Sequence, residues 1–196
     1  MLFQYKLFRL LFLLLGVYFL TSTTSAHCDT MEGPVVKASQ KAIETGNINY
    51  VLKWVQANDE QEINNLFEKV MRVRKLNDEA KELADMYFFE TVVRVHRMGE
   101  GEPYTGIKPA GYHSSEGIEA ADIAIEKNSL SEILAQIPNG KHEEVKKLFS
   151  DLQSKMNYDV NNVTAGRKYV AAYVHFIHYV ESLFHGEDEP MKEHHH

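Results

Sequence analysis

The sequence predicts an all-α fold, a helical bundle built from two tandem pseudo-repeats of about four helices each. Three observations carry that expectation. Apolar residues recur at helical spacing, and no strand-like alternation of useful length interrupts them. Residues 36–98 and 118–180 align without a gap at a constant offset of 82. Between them lies 99–117, a connection rich in Gly with two Pro, the kind of long irregular segment that is often functional in a compact protein.

The offset matches eleven identities in 63 positions, against roughly four expected from average composition. They include Ala38/Ala120, Leu52/Leu134, Phe67/Phe149, Tyr87/Tyr169 and His96/His178. Conservative pairs such as Ile48/Leu130 and Val95/Ile177 fall on the same register. Shared helical periodicity alone does not easily account for a matched Tyr and His.

Ahead of the repeats, Lys6 and Arg9 precede an uncharged apolar run, Leu10 to Leu20, and then small residues that end at Ala26. Eleven apolar residues are too few to span a bilayer, and this order of regions is that of a secretory signal peptide. Cleavage after Ala26 predicts an exported protein, periplasmic or extracellular, with residues 1–26 removed and no membrane span left. A bulky His before Cys28 argues against a lipid anchor on that Cys. The duplicated domain then runs over 27–185, and 186–196 reads as a polar, flexible tail ending in His194–His196.

Acidic residues outnumber basic ones by 28 to 21, a net charge of −7 that falls to about −9 in the mature chain because only basic residues are removed. That balance excludes a nucleic-acid partner, which needs a basic face. Cys28 is the only cysteine, so no internal disulfide can form in an oxidising compartment. A free thiol, an intermolecular bridge and a metal ligand remain.

Helices are expected at 34–45, 47–56, 59–75 and 78–98 in the first repeat. Gly46 reads as a stop, Asn47 as a start, and Asn58 with Gln61 as a capping pair; Ser129 with Glu132 repeats that pattern in the second. The last helix of each repeat looks apolar nearly all round, which places it centrally. His96 and His178, equivalent in the two repeats, then sit near the core. Buried histidines need hydrogen-bond partners, and two satisfied structural histidines are the plain alternative to a shared site.

His175, His178 and Glu181 follow at i, i+3 and i+6, so neighbouring members lie about 60° and roughly 4.5 Å apart and can chelate one ion. The first repeat lacks counterparts of His175 and Glu181, so such a site is asymmetric. Glu90, in an apolar stretch, needs a cation, and Arg94 at i+4 is the simple structural partner.

The stretches HCDTMEGPV, ELADMYFFETVVRVHRMGEGEPYTGIKPAG and FIHYVE resemble, along essentially the whole mature chain, an uncharacterised family of exported bacterial helical proteins. That resemblance implies export and an all-α fold, and supplies no reaction. Locally, His27-Cys28-Asp29-x-x-x-Gly33 is similar to the N-terminal hook of nickel superoxide dismutases. By that likeness His27 would provide amine and imidazole, and Cys28 amide nitrogen and thiolate. The hook's second Cys and its Pro are absent, with Glu32 and Met31 in their places.

The chemistry also stands without that likeness. An α-amine has a pKa near 7.7–8.0 and yields its proton to a metal far more readily than Lys does. Amine, imidazole and thiolate together favour copper, nickel, zinc or iron over magnesium or calcium. The expected metal ligands are His27, Cys28, His96, His175 and His178, with Glu32, Glu90, Tyr104, His113 and Glu181 as possible additions. The expected function is an exported metal-binding protein, redox-active or a metal carrier, with a metal ion or small molecule as its partner. The alternative is a non-catalytic extracytoplasmic module that binds a ligand or partner through the Tyr-containing linker. No motif for a Ser-His-Asp hydrolase, a phosphate loop, an HExxH helix or an EF-hand is present.

Overall fold

A computed structural model describes residues 27–112 and 114–185, without the side chains of His27 and His185. The expected signal peptide 1–26, His113 and the tail 186–196 with its three histidines lie outside those residues. The described chain is all-α, with eight helices: α1 (Pro34–Thr45), α2 (Asn49–Leu52), α3 (Glu60–Val73), α4 (Asp78–Gly99), α5 (Glu116–Lys127), α6 (Ser131–Gln136), α7 (His142–Met156) and α8 (Val163–His185). Short 3-10 turns precede α3 (Ala57–Asp59) and α7 (Asn139–Lys141). Pro34 and Glu116, Asn49 and Ser131, Ala57 and Asn139, Glu60 and His142 begin corresponding elements, each pair 82 positions apart. None of the described helices is long and apolar enough to cross a membrane.

Local chemistry explains most boundaries. Gly46 ends α1 in the left-handed region at φ 71°, and the Asn47 side chain then accepts the Asn49 N–H at 3.0 Å to open α2. Asn77 caps α4 by accepting the Ala80 N–H at 2.7 Å, with Asp78 and Glu79 in the positive first turn. The two expected capping boxes do not form. The 3-10 turn shifts the start of α3 to Glu60, so Asn58 is not at its cap, and Gln61 instead bonds Asn65 at 3.1 Å. Ser129 accepts the Ser131 N–H at 3.4 Å, while Glu132 turns to Lys127 at 2.7 Å.

Packing runs within each half. α4 lies against α1 and α3, and α8 lies against α5 and α7. Phe88 and Phe176 are fully buried and each packs against another Phe ring at a tilt, Phe67 at 5.5 Å and Phe149 at 5.3 Å between centroids. Truncating such a ring to Ala costs about 3–5 kcal/mol. The expectation that α4 is apolar nearly all round, and so central along its whole length, is corrected. Leu83 and Tyr87 are 72% and 62% exposed, because α1 and α3 cover only one side of the N-terminal half of α4. Arg94 also departs from expectation. It pairs with Glu62 across the α3–α4 contact at 3.0 Å and not with half-buried Glu90.

Polar ties join the halves. Arg167 on α8 donates to the carbonyls of Val55 and Leu52 at 3.0 and 3.1 Å and pairs with Glu60 at 2.6 Å. Asn161 accepts from both Asn47 and Asn49 at 3.1 Å. Lys53 donates to the Tyr158 hydroxyl at 2.6 Å among the rings of Trp54, Tyr158 and Tyr169. Burial lowers the Lys53 amine to about 8.

α5 reaches α8 through Gly117. A Cβ there would stand 2.6 Å from the Glu181 Cα and 3.2 Å from the Phe184 Cβ. Gly117→Ala is therefore expected to lose about 2 kcal/mol of stability in urea unfolding, despite the better helix propensity of Ala; unchanged stability would refute the close crossing. Lys53 gives a pH-dependent expectation. Its folded pKa lies below the unfolded value, so the folded state binds fewer protons between about 8 and 10.4, and stability rises with pH across that window. Lys53→Met is expected to be more stable than the parent at pH 7, by on the order of 1–3 kcal/mol. Denaturant midpoints should converge as pH passes above 8.

Candidate functional site

The site grows from the end of α4. Its last turns carry His96 and Arg97, followed by Glu100 and Glu102, and a helix C-terminus favours cationic groups. The N-terminal segment runs in beside it. A 3-10 turn, His27–Asp29, leads to Thr30, which forms a single parallel bridge with Lys108 of the linker. Lys108 N donates to the Asp29 carbonyl at 2.7 Å, and Met31 N donates to the Lys108 carbonyl at 3.0 Å. The Gly111 N–H adds a bond to Glu32 at 3.2 Å. The linker thereby holds the segment from His27 to Glu32 in place.

Asp29, 1% exposed, faces Arg97 at 3.6 Å, and Glu100 and Glu102 approach the same guanidinium at 3.4 and 3.9 Å. Burial raises the Asp29 carboxyl, and Arg97 and His96 oppose that rise. A cavity of about 10 Å³, room for about one water, opens between α4 and α8. Its walls include Cys28, Arg97, Glu100, Ile118, Tyr173 and His178. Cys28 is half-buried as a residue, but its sulfur is enclosed. Burial, then Glu100 and Asp29, push the thiol well above its ordinary value, with Arg97 pulling the other way.

His96 and His178, matched in the expected repeat, are oriented alike. His96 Nδ1 lies 2.8 Å from the Trp54 carbonyl, which can only accept, so Nδ1 carries the proton. The His96 ring also meets the Trp54 ring edge-on at 5.6 Å. His178 Nδ1 lies 3.1 Å from the Glu181 carboxylate, whose other oxygen accepts the Ser115 hydroxyl at 2.7 Å. In each neutral ring Nε2 is then the lone-pair nitrogen. His96 Nε2 is buried 3.4 Å from a Glu100 oxygen, with side chains 1% and 4% exposed, and has no hydrogen-bond partner among the described residues. Asp29 Oδ1 is likewise buried without one. Two lone pairs do not face each other in a buried site without a proton or a cation between them.

The expected ligands thus divide. Cys28 and His178 share one cavity, and Glu100 links that cavity to His96. Glu181 positions His178 from behind. His175 is exposed and does not line the cavity, because three residues turn it about 60° round α8 from His178 and onto the solvent side. Glu90 is half-buried and Glu32 bonds the linker, both away from the cavity walls. Tyr104 packs on the core with its hydroxyl buried and no hydrogen-bond partner among the described residues, and it too lies off those walls. His113 and the His27 side chain lie outside the described residues. No three His, Cys, Asp or Glu side chains among those described form a ready-made metal group.

Sequence reasoning missed Glu100, Arg97, Asp29 and Tyr173. Glu100 was legible in principle, since it follows His96 by one helical turn, but it lay in the segment read as linker. The profile of DUF6448, a family of unknown function, matches residues 32–179, which covers both halves and stops short of Cys28. No curated protein and no solved structure matches the chain.

The geometry makes a reactivity prediction. With its thiol enclosed and held protonated, Cys28 is expected to alkylate with iodoacetamide at pH 8 at least about tenfold more slowly in the folded chain than in urea. Equal rates, read by intact mass, would contradict the enclosure.

Proposed function

The chain belongs to DUF6448, a family of unknown function, and we propose that it is an exported protein that binds one transition-metal ion beneath its mature N-terminal segment. The observation that carries this reading is the buried approach of His96 Nε2 to Glu100 at 3.4 Å, beside a cavity walled by Cys28, Glu100 and His178. A divalent cation there would relieve the lone-pair confrontation and accept the Cys28 thiolate. Thiolate and imidazole donors suit copper, nickel, zinc or iron. The side chain–carboxylate pairing of His178 with Glu181 is the arrangement that fixes a ligating imidazole. The two imidazoles, Cys28 and Glu100 do not form a closed set as they stand, and in this proposal the α-amine of His27, released by cleavage after Ala26, completes it.

Metal loading must expel the Cys28 proton, so binding releases acid and weakens as pH falls. The test is elemental analysis of the secreted mature form, expressed with its own leader and no added N-terminal residues. We expect about one transition-metal ion per chain. Cys28→Ser and His178→Ala should each reduce affinity at least about tenfold, and His175→Ala should leave it unchanged. An intact His27 terminus with no stoichiometric metal would refute the proposal. A redox enzyme would also show a spectroscopic signal that changes with oxidant, whereas a carrier would bind without turnover.

One observation favours the second reading, a non-catalytic binding module. Leu76, Leu83 and Tyr87 are 74%, 72% and 62% exposed near the start of α4, an apolar stripe suited to a partner surface. A module of that kind would keep its binding in both Cys28→Ser and His178→Ala.

A further inference from the structure

We propose that Lys53 is a covalent capture site for small aldehydes, its amine forming an imine within a cage of Trp54, Tyr158 and Tyr169. This site opens away from the proposed metal cavity, though Trp54 also touches His96. Nζ lies 5.6, 5.4 and 5.2 Å from the three ring centroids and 2.6 Å from the Tyr158 hydroxyl. Lysine heads ordinarily reach water or meet a carboxylate when covered. Here the recorded partners of Nζ are the Tyr158 hydroxyl, met along the C–O axis in the plane of its ring, and the rings of Trp54 and Tyr169.

The charged and titratable groups around it come from α2, which carries Tyr50 near Tyr158, and from the region of α8. Tyr158 stands in the connection before α8, and Tyr169 and Arg167 project from α8 itself. Arg167 is held by Glu60 and by the Leu52 and Val55 carbonyls. Glu60 is thereby engaged by Arg167. Burial lowers the Lys53 amine to about 8 and pushes the Tyr158 phenol up to about 12. At pH 7 roughly a tenth of such an amine is free base, against about 0.04% of an ordinary lysine.

Space and chemistry fit a one-carbon carbonyl. A cavity of about 20 Å³ lies against Lys53, Trp54, Gln56 and Arg167. The neutral amine attacks the carbonyl carbon, and the π pair moves to oxygen, which takes a proton. The carbinolamine then loses that oxygen as water, nitrogen giving up its two hydrogens, to leave C=N. No electrons are exchanged with a third party. Tyr158, still protonated and 2.6 Å from Nζ, is the phenol within reach of a group formed on that nitrogen, although it does not line the cavity itself. The protonated imine keeps the positive charge that the ring faces attract, whereas a carbamate from carbon dioxide would set a negative charge against them.

The test exposes the full chain to formaldehyde with cyanoborohydride at pH 7 and pH 10 and reads methylation at each lysine by peptide mass spectrometry. At pH 7 Lys53 should react about tenfold faster than exposed Lys41, even allowing for its weaker intrinsic nucleophilicity, and the lead should vanish at pH 10. Tyr158→Phe, checked for folding by circular dichroism, should slow Lys53 severalfold and leave Lys41 unaffected. Labelling of Lys53 no faster than that of Lys41 at pH 7 overturns the proposal. An unaltered rate in Tyr158→Phe overturns the part assigned to the phenol.

Discussion

Arg97 lies 7% exposed at the end of α4, with Asp29, Glu100 and Glu102 placed around its guanidinium at 3.6, 3.4 and 3.9 Å. Each carboxylate comes from a different stretch of chain: the N-terminal segment, the helix end and the linker. A buried guanidinium without anions, or buried carboxylates without a cation, would cost several kcal/mol. The N-terminal segment, the α4 terminus and the linker are therefore stabilised together. That coupling brings Cys28 to the cavity wall and holds Glu100 within reach of His96. The Thr30–Lys108 bridge follows from the same placement, since it needs the segment and the linker side by side.

The two histidines show how a repeated residue acquires different surroundings. His96 is anchored by a main-chain carbonyl, 42 residues upstream, and faces a buried carboxylate. His178 is anchored by a carboxylate three residues on, which Ser115 steadies in turn. Both anchors fix Nδ1–H and turn Nε2 into the basic nitrogen. Gly117 lets α5 close directly on Glu181, the residue that anchors His178.

The helical elements were largely legible because their signals are local. Gly46, Asn47 and Asn77 act through their own backbone neighbours, and the apolar periodicity of α1, α3, α5 and α7 needs only one covered face. What misled was anything decided between elements. Arg94 had two acids within reach, and only the α3–α4 contact selects Glu62 over Glu90. The apolar run of α4 suggested burial all round, yet a helix is covered only where neighbours lie, and Leu83 and Tyr87 have none. Of the candidate site, Cys28, His96 and His178 were found by residue type and register. Arg97, Glu100 and Asp29 were not, since an acid or base beside a helix end is ordinarily solvated.

By itself the sequence determined the all-α class and the positions of most helices, and it raised the expectation of a site at His27-Cys28 and of a match between His96 and His178. Those follow from short-range preferences, from composition and from a regular offset, all of which are written along the chain. Tertiary structure alone decided that Cys28 shares a cavity with Glu100 and His178, that His175 faces outward, and that Lys53 is enclosed by rings from distant segments. Burial is the reason. The cost of desolvating a thiol, a carboxylate or an amine depends on what surrounds it, and those surroundings exist only once remote parts of the chain have met.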